Sequence, residues 1–167
     1  MKKIFTLLLI TLFLFSSCEK DDICDANTST TPRLVIQFYD FSNSTVLKNV
    51  TNLKVIGEGM TEGIVFNGNG NTLLIPLKTT ENNTSYRFIL NSGSATFSNE
   101  DKIKFDYSRE NLFVSRACGF KTIFALNPTN PYTHNDAIIP DLLWIKAISV
   151  EKTNIENEYE THVKIYF

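Results

Sequence analysis

The chain has 167 residues, with 16 Lys and Arg against 18 Asp and Glu and a formal net charge of −2. That balance lacks the basic footprint of a nucleic-acid binder. Thirteen Phe, six Tyr and one Trp supply ample aromatic surface for a packed core.

Lys2 and Lys3 open the chain, and Ile4 to Phe15 follow as an apolar run broken only by Thr6 and Thr11. A run of about twelve residues fits the ~7–15 of a signal-peptide core and falls short of the ~20 needed to span a bilayer as a helix. Phe15-Ser16-Ser17-Cys18 then resembles the lipobox of bacterial lipoproteins, with Phe15 where that motif most often has leucine. The resemblance implies cleavage after residue 17, diacylglycerol on the Cys18 thiol and acylation of the freed amine. Two or three acyl chains anchor stably where one holds only marginally, at ~0.8 kcal/mol per buried CH₂. The alternatives are an ordinary secretory signal, or an uncleaved anchor. Cys18-Glu19-Lys20-Asp21-Asp22 resembles the surface-export signal of Bacteroidota lipoproteins. Lys20, Asp21 and Asp22 would direct the protein to the outer face of the outer membrane, against the alternative of a solvated tether on a periplasm-facing anchor.

Removing residues 1–17 leaves 150 residues, and losing Lys2 and Lys3 moves the formal charge from −2 to −4. That length suits one domain, in which ~68–70 % of the unfolded surface is buried. With Cys18 committed to lipid, Cys24 and Cys118 remain, and an exported chain allows them to pair as a disulfide. The alternative is two free, buried thiols. A bridge holds Cys24 within ~20 Å of the lipidated residue, whereas without it residues 18–31 form a tether of roughly 45–50 Å at full extension.

From Pro32 onward short strand-like runs alternate with turn residues. Arg33 to Tyr39 places Leu34, Ile36 and Phe38 on one face. Leu53 to Ile56 is closed by Gly57. Ile64 to Phe66 and Thr72 to Leu77 flank Asn67-Gly68-Asn69-Gly70-Asn71, a hairpin turn by composition, and Pro76 puts the second arm at a sheet edge. Ser85 to Leu90 sets Tyr86, Phe88 and Leu90 opposite Arg87. Lys102 to Tyr107 alternates cleanly, with Ile103, Phe105 and Tyr107 inward. Leu112 to Ser115 and Phe120 to Leu126 are apolar on both faces and read as central strands. Leu142 to Val150 and His162 to Phe167 read as a closing hairpin. No helical periodicity is sustained. The expected fold is all-β: a single antiparallel β-sandwich of about eight or nine strands over residues 32–167, of immunoglobulin-like or transthyretin-like kind, with a small barrel as the alternative. Asn127 to Asp141, with three prolines, is the candidate functional loop, or else a rigid crossover between sheets.

Cys-Glu-Lys-Asp-Asp-Ile-Cys at 18–24, Thr-Pro-Arg-Leu-Val-Ile-Gln-Phe-Tyr-Asp at 31–40 and Ser-Arg-Ala-Cys-Gly-Phe at 115–120 resemble recurring features of small Bacteroidota lipoproteins of unknown function. The resemblance implies an envelope location and one β-rich domain, and it carries over no catalytic residue.

Chemistry is sparse. There is no Gly-x-Ser-x-Gly elbow. The two histidines, His134 and His162, are too far apart for a zinc site; His162 reads as a surface or satisfied sheet residue and His134 as solvent-facing. Calcium is the one metal with a candidate set, Asn135, Asp136 and Asp141 in a single loop; ordinary turn chemistry explains Asn67, Asn69 and Asn71. No cofactor is implied. The expectation is a non-catalytic interaction module, anchored to the outer membrane by lipid, with the cell surface favoured and an outer-membrane protein as partner. A carrier of an apolar or glycan ligand is the second reading, and a carboxylate- or metal-dependent hydrolase the third.

Overall fold

The computed structural model describes residues 23–59 and 63–167. Residues 1–17, read as a signal peptide, Cys18, read as the lipidation site, and Lys20, Asp21 and Asp22, read as an export signal, lie outside the described residues. The described residues divide into two compact units, one of residues 23–28 with Phe113–Phe120 and one drawn from Ser29–Leu112 with Lys121–Phe167.

The described residues form eleven strands and no helix: β1 Leu34–Tyr39, β2 Val50–Gly57, β3 Ile64–Gly70, β4 Thr72–Ile75, β5 Asn83–Leu90, β6 Asn99–Ser115, β7 Gly119–Leu126, β8 Tyr132–Asp136, β9 Ala147–Val150, β10 Asn154–Ile155 and β11 Val163–Tyr166. They make a β-sandwich of two sheets, ordered β4-β1-β11-β9 and β10-β7-β6-β5-β2-β3, with β8 also pairing β6. The all-β sandwich expected from the alternating runs is therefore present. One pairing departs from an antiparallel plan: β1 and β11 are parallel, with Ile36 opposite Val163 and Phe38 opposite Ile165.

The strand faces follow side-chain alternation. Leu34, Ile36 and Phe38 of β1, Tyr86 and Phe88 of β5, and Ile103 and Phe105 of β6 are at most 1 % exposed. Burying each such side chain contributes about 1.5–3 kcal/mol relative to leaving it in water. Trp144 completes the core, stacked on Phe38 at 6.5 Å between ring centroids and edge-on to Phe167 at 5.5 Å. Thr84, a polar residue with no exposure, is satisfied locally. Its Oγ1 accepts from the Lys78 backbone N–H at 3.0 Å and bonds the Tyr107 hydroxyl at 2.6 Å.

Three expectations need correction. The Asn67–Asn71 stretch is not a hairpin turn, because β3 runs through it to Gly70 against β2, while β4 pairs β1 in the other sheet. The Asn69 side chain accepts from Asn52 N at 2.6 Å, where a register shift bulges β2; the asparagine serves the bulge, and the chain changes sheet at Asn71. Pro76 does follow an edge strand, as expected. The closing strands pair antiparallel as β9 and β11, but the segment between them leaves that sheet and adds β10 to β7. Finally, Leu112–Ser115 and Phe120–Leu126 do belong to interior strands of the larger sheet, β6 and β7, but they are not covered on both faces: Phe113 and Phe120 are 63 % and 69 % exposed.

Candidate functional site

Asn127 to Asp141 is not one irregular loop. Tyr132–Asp136 forms β8 on β6, with Asp101 opposite Asp136, Ile103 opposite His134 and Phe105 opposite Tyr132. Alternation then places His134 diagonal to Asp101 on the core face. His134 is accordingly not solvent-facing: its Nε2 lies 2.7 Å from Asp101 Oδ2, and its side chain is 15 % exposed.

Asp101 is fully buried. An isolated carboxylate in that position is strongly unfavourable, so its partners define the site. Besides His134, it accepts from the backbone N–H of Trp144 at 3.3 Å and of Ile145 at 3.0 Å. The Trp144 indole N–H donates to Phe88 O at 3.1 Å. These bonds fix the point at which the chain returns to the core after β8.

The segment between, Ala137 to Leu143, is held at its entry by Asp136. That carboxylate accepts from Ala137 N at 2.7 Å, Asp141 N at 3.3 Å and Leu142 N at 3.2 Å. Desolvation works to raise the Asp136 carboxyl, but the three backbone N–H groups and the Asp141 side chain outweigh it and hold it below the ordinary aspartate value. The neighbouring Asp141 moves the other way, raised by desolvation and by the Asp136 and Asp101 carboxylates against the pull of the Glu100 N–H. Its Oδ2 accepts from Glu100 N at 3.1 Å, and Asn99 Nδ2 donates to Asp141 O at 3.0 Å and Leu142 O at 2.6 Å. Two carbonyl acceptors fix the orientation of the Asn99 amide and leave its Oδ1 buried without a partner.

So clamped, the loop turns its aliphatic side chains outward. Ile138, Ile139 and Leu142 are 89 %, 83 % and 81 % exposed. Leu142 takes φ 72°, a left-handed conformation that costs a non-glycine residue about 1–3 kcal/mol. A strained backbone and three large apolar groups in water are both unfavourable alone. Exposed apolar groups clustered in this way are the kind of surface that marks interaction sites in proteins generally.

The other sequence candidates are dispersed. Asn135 lies on the outer face of β8, where it lines an open groove of about 310 Å³ with Glu58, Ser85, Lys102 and Thr133; Lys102 pairs Glu58 across it at 2.6 Å. Asp136 and Asp141 are committed to backbone N–H groups, and among the described residues no three His, Cys, Asp or Glu side chains converge as a metal site. His162 is satisfied in the sheet: it is 1 % exposed, and its Nδ1 accepts from Val35 N at 3.0 Å. Cys24 and Cys118 form the expected disulfide, Cα to Cα 4.9 Å. Asp101 and Asn99 are the residues that sequence reasoning missed. The available signal was parity, since Asp101 occupies the inward position two before Ile103.

No curated protein and no solved structure matches the chain. Residues 52–167, the greater part of the chain and all of the loop with its clamps, match a family model. The chain belongs to the family of unknown function DUF6452.

Proposed function

We propose that this protein is a lipid-anchored envelope lipoprotein whose β-sandwich is a non-catalytic binding module, docking on a protein partner through Ala137–Leu143. The carrying observation is the exposure of Ile138, Ile139 and Leu142 on a backbone fixed by Asp136, Asp141, Asn99 and Asp101. A loop already in its bound shape loses little entropy on association, which favours affinity. Asp141, an exposed acid within the apolar run, suits a protein recess with a complementary donor better than the anionic surface of a bilayer. The Asp101–His134 pair supports a structural reading, because its carboxylate is directed at Trp144 N and Ile145 N.

The anchor rests on Lys2, Lys3, the Ile4–Phe15 run and Ser16-Ser17-Cys18. The Cys24–Cys118 bridge accords with an oxidising compartment. Lys20, Asp21 and Asp22 support the outer face of the outer membrane.

A photo-crosslinking side chain in place of Ile139, irradiated in intact cells, tests the docking. One adduct of discrete size, formed with an envelope protein and lost on adding Ile138→Ser and Leu142→Gly, is the expected result. No adduct, or a smear insensitive to those substitutions, overturns the docking reading.

A further inference from the structure

The unit of residues 23–28 and 113–120 carries a second apolar surface, with a different character. Phe113 and Phe120, at the end of β6 and the start of β7, lie edge to face with ring centroids 5.5 Å apart. They are 63 % and 69 % exposed, and Ile23 is 74 % exposed. Both phenylalanines keep the parity of the inward residues on their own strands, Ile103 and Phe105 on β6 and Phe124 and Leu126 on β7, yet they face water. Between them the chain reads Val-Ser-Arg-Ala-Cys-Gly, with Arg116 as its one charge and no acid. Cys118, in that turn, is bonded to Cys24, next to Ile23.

Covalent geometry says where this surface lies relative to the N-terminus. Ile23 lies five residues beyond Cys18, and an extended chain covers at most about 18 Å over that distance. With acyl chains on Cys18, the bilayer surface is within that reach of Ile23, and the disulfide fastens the two aromatic rings to the same short lead. Within the turn, apolar groups beside a cation match the composition of elements that enter the headgroup and upper acyl region of a membrane; the nearest acids to Ile23 in sequence, Asp22 and Asp25, lie on the lead.

We propose that the β6–β7 turn is a bilayer-docking wedge in which Phe113, Phe120 and Ile23 enter the lipid interface and hold the domain against the membrane. This deepens the anchored reading, since the position of the bilayer beside Ile23 rests on lipid at Cys18. The wedge converts a point attachment into a seated one. It depends on the disulfide, which ties the rings to the lead.

The test uses the whole protein, purified from membranes and reconstituted into vesicles of phosphatidylethanolamine and phosphatidylglycerol. Phe120→Trp provides a reporter against the constant background of the buried Trp144. Its emission shifts to the blue and is quenched most strongly by lipids brominated about 5–10 Å below the headgroups; reduction of the disulfide weakens the quenching. Water-like emission unaffected by bromine overturns the wedge. So does a blue shift that depends on protein concentration and ignores bromine, which marks self-association. Incorporation of labelled palmitate at Cys18, abolished in Cys18→Ser, is read in parallel. Palmitate without quenching defeats the wedge alone, and quenching without palmitate defeats the anchor alone.

Discussion

His134 Nε2 sits 2.7 Å from Oδ2 of Asp101, a carboxylate with no solvent exposure. The same group accepts from the Trp144 and Ile145 backbone N–H groups, so one side chain joins β6, β8 and the return of the loop to the core. Removing it orphans two buried donors and the imidazole together. Asp101→Ala should lower unfolding stability by about 3–5 kcal/mol, read from urea denaturation. Asp101→Asn, which keeps an acceptor, should cost distinctly less.

The second histidine makes stability pH-dependent. Burial lowers the His162 pKa from its ordinary value against the upward pull of Glu160 and Glu158, and its unprotonated Nδ1 accepts from Val35 N. The folded state therefore favours the neutral ring. The contribution is complete above the unfolded pKa of about 6.5 and is lost as pH falls from there toward the lower folded value. Across that window the slope is about 1.4 kcal/mol per pH unit for one proton. Chemical denaturation between pH 7.5 and 5 measures it, and His162→Asn, which retains an acceptor near the same place, should flatten that part of the curve.

The Cys24–Cys118 bridge closes a separation of 94 residues. A loop of that size restrains the unfolded chain by roughly 4–5 kcal/mol in the chain-entropy account, and measured losses on removing such bridges run about 2–5 kcal/mol. Cys24→Ser with Cys118→Ser should fall in that range by urea denaturation. It should also open residues 23–28 to limited proteolysis with the sandwich core still protected.

Leu142 separates stability from binding. Glycine relieves the cost of φ 72° but gives more freedom to the unfolded chain. Leu142→Gly should therefore leave stability within about 1 kcal/mol of the parent, read by thermal and urea unfolding, while removing an aliphatic contact from the docking face. A loss of several kcal/mol would mean that the leucine side chain serves the fold.

Much of this architecture is legible in alternation. Leu34, Ile36 and Phe38, and Ile103, Phe105 and Tyr107, point inward as their spacing demands, because a two-residue period leaves one face for the core. Long-range pairing is not legible in this way. Asn67–Asn71 has the composition of a hairpin turn, yet the partners of β3 and β4 are β2 and β1, a choice made by two sheets competing for strands. Phe113 and Phe120 read as core because apolar character says nothing about what covers it. The segment proposed to dock overlaps the end of Asn127–Asp141, which its prolines and aliphatic residues mark as a candidate loop in the sequence. The clamp was not, since Asp101 and Asn99 lie about forty residues upstream of the loop they hold and look like ordinary turn polarity.

Amide hydrogen exchange on the folded protein tests the central claim, that the exposed aliphatic loop is held in advance by its buried and bridging carboxylates. The amides of Leu142, Trp144 and Ile145 should exchange orders of magnitude more slowly than free peptide; Asp101→Ala should release Trp144 and Ile145, and Asp136→Ala should release Leu142. Exchange of Leu142, Trp144 and Ile145 at free-peptide rates in the parent protein would contradict the claim and leave no preformed docking surface.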